Sequence, residues 1–364
     1  MAKESLSCDL AVVGGGPAGL AAAIEAAKAG VRVSLFDENE KPGGQLFKQI
    51  HKFFGSKEHQ AGIRGHNIGY HLLEEGQKVG VDTRLNTVVW GIEDNKIGIT
   101  DGRTSKLVDA QRIIVATGAS ENPLSFPGWT LPGVMGAGAA QTMMNVHRVL
   151  PGTKVLMVGS GNVGLIVSYQ LLLAGAEVVV VVEALTKIGG YVVHAAKLRR
   201  AGVPILTSTS ILEARGKEMV EEATICSLDE KLCPLEGCEI NLKADLICLA
   251  VGLSPLAELC WMAGCKFKYL PELGGFVPLH DENMRTTLSY LYLAGDVAGV
   301  EEASSAMEEG KLAGVAVAEE LGYLKKDEAE EGKEKIRKKL SSLRLGPFGD
   351  MRAKAKLELM RARG

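Results

Sequence analysis

The 364-residue sequence predicts an α/β fold with two Rossmann-like dinucleotide-binding domains. Three observations predict it. A complete strand–glycine turn–helix–strand unit stands near the start. A second stands about 145 residues later, and glycine outnumbers proline 44 to 12, as tight turns and close backbone approaches require. The length exceeds what one core usually needs, so two domains are expected.

In the first unit, Leu10–Val13 reads as a strand. Gly14-Gly15-Gly16-Pro17-Ala18-Gly19 follows as GxGxxG, then an alanine-rich helix over about Leu20–Ala29, closed by Gly30, then a strand over Val31–Phe36. Gly14 permits the tight turn, Gly16 lets the backbone approach a pyrophosphate, and Gly19 lets helix and strand pack closely. The helix N-terminus offers free N–H groups and a positive dipole end to phosphates. Asp37, eighteen residues after Gly19, stands where a carboxylate accepts ribose hydroxyls.

The second unit repeats this order: strand Lys154–Val158, turn Gly159-Ser160-Gly161-Asn162-Val163-Gly164, a helix to about Ala174, and the valine run Val178–Val182 of a strand buried on both faces. Glu183 ends it. With no Arg or Lys before Lys187, a second nucleotide here is expected to be NAD(H) and not its 2′-phosphate form. The plainer alternative is a second unit kept as scaffold without ligand.

Other functions are disfavoured. The net charge of -3 argues against a general nucleic-acid binder. No apolar stretch is long enough to span a bilayer; the longest, Leu171–Val182, is broken by Gly175 and Glu177. A short polar start runs straight into a strand after Asp9, so no signal peptide and a cytoplasmic location are expected. Seven cysteines without a CxxC read as mostly reduced thiols, with Cys226, Cys233 and Cys238 on a hairpin and not around a metal. On a helix, Cys260 and Cys265 would sit about 140° apart and face away from each other. His51, His59, His66 and His71 match no metal spacing and read as a loop that is solvated or beside a bound cofactor. No metal site is expected, and no catalytic acid, base or nucleophile can be assigned.

Further segments carry a resemblance. Lys41-Pro42-Gly43-Gly44-Gln45-Leu46 follows the first unit, Ile113–Ala119 is a strand ending in Ala-Thr-Gly, Leu246–Pro255 echoes it, and Leu291–Asp296 is a late strand ending in Gly-Asp before a helix from about Glu302. This order resembles the thioredoxin-reductase-like flavoproteins over residues 8–323. The resemblance implies that the second domain is inserted in the first: an FAD domain of residues 1–122 and 253–325, an NAD domain of residues 123–252, and a basic helical tail of residues 326–364. It implies FAD ligands among Gly14, Gly16, Pro17, Ala18, Gly19, Asp37, Glu38, Gly43, Gly44, Gln45, Val88, Thr117, Gly118, Ala119, Gly295, Asp296, Glu302 and Ala303. For NAD it implies Gly159, Gly161, Asn162, Val163, Gly164, Glu183 and Gly252. Glu301 and Glu302 would stand at the flavin's pyrimidine edge and oppose a reduced flavin unless turned to solvent. No cysteine pair follows Gly44, where disulfide reductases of the glutathione-reductase group carry one.

The stretches Ala116–Met144 and Glu258–Gly314 are similar to a narrower group. It comprises the FAD/NAD-binding subunits of multi-subunit amine and amino-acid dehydrogenases: the B subunit of hydrogen cyanide synthase, the A subunit of opine oxidase, and the alpha chains of sarcosine oxidase and dye-linked proline dehydrogenase. The resemblance implies an electron-transfer subunit in an oligomer. Its partners would be a D-amino-acid-oxidase-like flavoprotein and, since no cysteine follows Cys265, a separate iron–sulfur protein. The alternatives are a free-standing NADH-dependent reductase of a small acceptor such as ferredoxin, and a scaffold subunit whose nucleotide never turns over. The tail from Glu331 carries eleven basic and four acidic residues, a net +7, and suggests two short helices around Gly346–Gly349. It reads as a solvated charged terminus or as a docking arm for an acidic partner.

Overall fold

The structure, a computed structural model, describes residues 6–53, 56–346 and 349–363. The chain forms two compact units, Met1–Ser120 with Ser254–Gly364, and Glu121–Leu253.

The first unit is built on a seven-stranded sheet. Strands Asp82–Arg84, Val33–Phe36, Leu6–Val13 and the second half of Ser105–Val115 run parallel, and Leu291–Leu293 pairs parallel with Ser105–Val115. The first half of Ser105–Val115 pairs antiparallel with Lys96–Thr100, which pairs with Val88–Glu93. The register places Val13 opposite Val115 and Val115 opposite Leu293. Three strands therefore end level, and Gly14, Ala116-Thr117 and Ala294-Gly295 leave the sheet at one edge. In open parallel sheets the carboxyl ends of the strands form the ligand-binding crevice.

The first helix, Pro17–Lys28, begins three residues before the expected start, because Gly16 caps it in extended conformation and Pro17 suits the first turn. It packs on the long helix Ala303–Glu320 through glycines: a Cβ on Gly310 or Gly314 would collide with the carbonyl oxygen of Ala18 or Ala22.

The second unit has a five-stranded parallel sheet in the order Ile205–Leu206, Glu177–Val182, Lys154–Val158, Leu246–Leu249 and Val134–Gly136. Along the middle strand, Val155 and Met157 enter one core and Leu156 and Val158 another. The valine run divides the same way, Val178 and Val181 against Val180 and Val182, so a strand covered on both faces needs apolar residues throughout. Three antiparallel strands, Thr209–Arg215, Glu222–Ser227 and Ile240–Lys243, complete the unit.

The tail is not a solvated terminus. It forms helices Lys326–Leu343 and Gly349–Arg363, and Ala329, Ile336 and Leu340 join the core of the first unit. Ala355 and Leu359 of the last helix pack with Leu270, Leu273, Val277 and Leu279. The spaced apolar residues are thin, and two of the tail's basic residues, Arg344 and Lys356, add pairs with the buried carboxylates of Glu301 and Glu309. The expected turn at Pro347-Phe348 lies outside the described residues. Among the described residues no helix is long and apolar enough to cross a membrane.

Candidate functional sites

At each glycine turn the three glycines are required for different reasons. Gly14 and Gly159 have φ of 109° and 104°, where L side chains are strained, and a Cβ on either would strike the carbonyl oxygen of Ala116 or Ala250. A Cβ on Gly19 or Gly164 would strike the carbonyl oxygen of Gly14 or Gly159. The middle glycines differ. Gly16 and Gly161 have ordinary φ of -74° and -63°. A Cβ on Gly161 would meet nothing within 4 Å, and one on Gly16 only the Gly44 Cα at 3.9 Å. No protein atom demands glycine there. Each glycine leaves open space in front of a helix N-terminus, and neither helix has a side-chain cap on its free N–H groups. That combination fits a pyrophosphate in both units.

The acid beside each turn is held alike. Asp37 is buried; its Oδ2 accepts the Gly15 N–H at 2.5 Å and its Oδ1 the Asn39 N–H at 2.7 Å. Glu183 Oε2 accepts from Ser160 N at 2.9 Å and Oε1 from Leu185 N at 3.1 Å. A carboxylate has about four acceptor positions, so either retains capacity for ribose hydroxyls. The sequence after each acid also repeats, which the sequence reading missed. Lys41-Pro42-Gly43-Gly44 and Lys187-Ile188-Gly189-Gly190 both begin four residues past the acid. Gly43 donates its N–H to the Gly15 carbonyl at 2.8 Å, and Gly189 donates to Ser160 Oγ at 3.1 Å. Gly44 closes onto Gly16, with 2.9 Å from its would-be Cβ to the Gly16 Cα.

Of the remaining expected FAD ligands, Pro17 and Ala18 open the first helix, and Glu38 and Gln45 are exposed beside the turn. Val88 follows Thr87, whose N–H donates to the Asp37 carbonyl at 2.8 Å. Thr117 is engaged by the backbone: its Oγ1 donates to the Leu256 carbonyl at 2.5 Å, and Leu256 N donates to the Gly118 carbonyl at 2.9 Å, which leads into Ala119. Gly118 has φ 80° and open space at its Cβ position. In the second unit, Asn162 Oδ1 accepts from Tyr191 N at 2.8 Å, Val163 is exposed, and Gly252 at φ 114° accepts the Asn122 N–H at 3.0 Å.

Gly295 and Asp296 stand on the turn that leaves the late strand. A Cβ on Gly295 would lie 2.8 Å from that of Ala18, so the turn presses against the glycine-motif helix. Asp296 Oδ1 accepts the Glu301 N–H at 3.1 Å. Burial pushes the Asp296 carboxyl up to about 6, with Glu309 and Glu301 adding to it. Glu302 caps the helix from Ala303 and is exposed. Glu301 turns neither to solvent nor to an open edge. Its carboxylate takes Arg344 Nε at 2.9 Å and Nη2 at 2.7 Å. Arg344 Nη2 also donates to Glu309 Oε1 at 2.5 Å, and Lys356 Nζ reaches the same oxygen at 2.7 Å. No local sequence signal marks this network.

The cysteines and histidines correct the sequence reading. Cys226 and Cys238 are joined as a disulfide, with Cα atoms 5.4 Å apart, because the chain returns from Leu228 to set Cys238 beside the strand Glu222–Ser227. Cys233 is free and exposed. Cys260 and Cys265 do not face apart. Their helix stops at Met262, Gly264 turns at φ 85°, and Cys265 N donates to the Cys260 carbonyl at 3.0 Å. The two buried thiols share a hydrogen bond that, with burial, pushes Cys260 up. His59 is not solvated: its Nε2 lies 3.0 Å from Glu308 Oε1 and its Nδ1 2.8 Å from Ser56 Oγ.

Comparisons with known proteins show the family and the fold. Residues 8–310 match the family described as pyridine nucleotide-disulphide oxidoreductase. The A subunit of opine oxidase from Agrobacterium tumefaciens (strain Ach5) is 31% identical over 342 residues, 86% of this chain and 66% of that one. The HcnB subunit of hydrogen cyanide synthase from Pseudomonas aeruginosa is 28% identical over 341 residues, 84% and 70% of the two chains. The chain thus spans about two thirds of the length of these relatives. The crystal structure of L-proline dehydrogenase from P. horikoshii superposes with a TM-score of 0.69 at 24% identity, over 92% of this chain and 59% of that one, which shows the shared fold.

Proposed function

Because the chain belongs to the pyridine nucleotide-disulphide oxidoreductase family and is an FAD-dependent oxidoreductase, we propose that it is the FAD/NAD-binding electron-transfer subunit of a multi-subunit amino-acid or amine dehydrogenase. One observation carries the proposal: each unit has an uncapped helix N-terminus whose middle glycine no protein contact requires, while Gly43-Gly44 runs on into Gln45-Leu46-Phe47 without a cysteine. Two dinucleotides without a dithiol beside the first cradle suit a relay whose acceptor lies outside the chain.

Bound FAD supplies hydride and electron transfer. The residues of the chain bind and orient. The first turn of Pro17–Lys28 offers N–H groups to the pyrophosphate, Asp37 accepts from the adenosine ribose, and Asp296 takes the hydroxylated chain next to the flavin. In the second unit the turn at Gly161 and the carboxylate of Glu183 do the same for NAD(H). Val88, Thr117, Gly118 and Ala119 line the cofactor through backbone. The family's relatives named as subunits support a partner, and so does the surface. Trp261, Tyr269 and Phe276 are each more than half exposed, with Phe276 5.9 and 5.1 Å from the other two rings, and exposed aromatic clusters mark surfaces that partners cover. The proposed partners are a D-amino-acid-oxidase-like flavoprotein that oxidises the C–N bond and an iron–sulfur protein whose ligands lie outside these residues.

The test is to assay the isolated chain with sarcosine, proline and related amines and a dye acceptor, then add the partner protein. Turnover is expected only with the partner. Full turnover by the isolated chain would refute the proposal. The intact second cradle favours one other reading, a free-standing NADH-dependent reductase; rapid NADH-driven reduction of ferredoxin without any partner would select it.

A further inference from the structure

The turn Gly295–Glu301 is held at three points by groups that depend on the last two helices. Gly295 N donates to Glu309 Oε2 at 3.1 Å, and the other oxygen of Glu309 is taken by Arg344 and Lys356. Lys356 Nζ also donates to the Ala298 carbonyl at 2.7 Å. Arg344 grips Glu301, whose N–H in turn holds Asp296. The side chains of Glu301, Glu309 and Lys356 are 4% exposed or less, and that of Arg344 is 12% exposed.

Buried carboxylates are tolerated only with partners. Asp296, Glu301 and Glu309 crowd one turn and the helix after it. Among the described residues the cations that pair with Glu301 and Glu309 are Arg344 and Lys356 alone. They come from 35 to 47 residues further along the chain than Glu309, so nothing local compensates the cluster. Lys356 does more than neutralise. Its ammonium bridges the Glu309 carboxylate and the Ala298 carbonyl, and so fixes the middle of the turn against the helix.

We propose that Arg344 and Lys356 are positioning residues of the FAD site, which makes the two C-terminal helices part of the cofactor-binding structure and not an appended arm. The inference rests on the reading that Asp296 and its turn hold FAD. By neutralising Glu301 and Glu309, the two cations also keep negative charge from opposing a reduced flavin.

The experiment titrates FAD into apoprotein by fluorescence, and measures the midpoint potential of the bound flavin, for wild type, Lys356→Met, Arg344→Met, Lys356→Arg and the double variant Glu309→Gln/Lys356→Met. The single Met variants should weaken FAD binding about tenfold or more and lower the potential. Lys356→Arg should recover much of both. The double variant, free of the uncompensated charge, should fold even if Lys356→Met does not, yet still bind FAD weakly because the Ala298 tether is gone. The inference is overturned if the double variant binds FAD as wild type does, or if both Met variants bind it within about twofold with unchanged potential. Wild-type protein that binds no FAD would instead sink the reading of the site itself.

Discussion

Ser160 and Glu183 are joined twice: the Ser160 N–H and hydroxyl both donate to Glu183 Oε2, at 2.9 and 2.6 Å. Among the described residues Oε1 takes only Leu185 N, which leaves it capacity for a ribose hydroxyl. A 2′-phosphate would bring about two negative charges against the same carboxylate. NADH should therefore reduce the flavin at least about tenfold more efficiently than NADPH. Glu183→Ala should narrow that gap and Glu183→Arg narrow it further, read as the rate of flavin bleaching. Equal wild-type rates with the two nucleotides would refute this.

The glycines make a sharper prediction. Gly16→Ala and Gly161→Ala place a methyl in open space at ordinary φ, so the apoproteins should melt within about 1 kcal/mol of wild type, while nucleotide binding falls about tenfold or more. Gly19→Ala, which drives a methyl into the Gly14 carbonyl, should cost several-fold more stability. Calorimetry with and without nucleotide checks both. Gly161→Ala protein that binds NADH normally would show that the space serves no phosphate.

Asp296 gives a pH dependence. Its folded-state pKa of about 6 lies above the ordinary 3.8, so the folded chain keeps a proton that the unfolded chain has lost. FAD-free protein should thus lose stability as pH rises from about 4 to 6 and level off above, by roughly 3 kcal/mol from this group. Asp296→Asn should raise the melting temperature of apoprotein at pH 7, leave it unchanged near pH 4, and weaken FAD binding. A variant destabilised equally at both pH values would contradict the assignment.

The Cys226–Cys238 disulfide closes a short loop in the antiparallel sheet of the second unit. A cross-link over twelve residues restricts the unfolded chain by about 3 kcal/mol. Reductant, or Cys238→Ser, should lower the melting temperature of that unit while NADH still bleaches the flavin. Loss of bleaching on reduction would instead place this pair in the electron path.

Both glycine turns, their acids and the late Gly-Asp turn were legible in the sequence, because each rests on backbone limits set within a few residues of Gly14, Gly159 and Gly295. The Arg344–Glu301 and Lys356–Glu309 pairs were not, since they join residues 43 and 47 apart on helices whose faces the sequence does not orient. Cys260 and Cys265 were misread for a different reason. Helical rotation does not relate them, because the helix ends at Met262 and Gly264 turns the chain back. The pairing of Cys226 with Cys238 was missed because composition alone does not show which hairpin positions lie opposite one another.

The late strand Leu291–Leu293 and the glycine-faced helix after it complete a sheet and a helix pair begun near residue 6. During synthesis, the helix Pro17–Lys28 emerges long before Gly310 and Gly314 exist to cover Ala18 and Ala22. At ribosomal speeds the wait from residue 115 to residue 293 is roughly 10 to 35 s. The contiguous segment 121–253, by contrast, has its whole parallel sheet in hand before that interval ends. It should fold alone when expressed as a fragment. Residues 1–120 expressed alone should stay open and chaperone-bound until residues 254–364 are supplied.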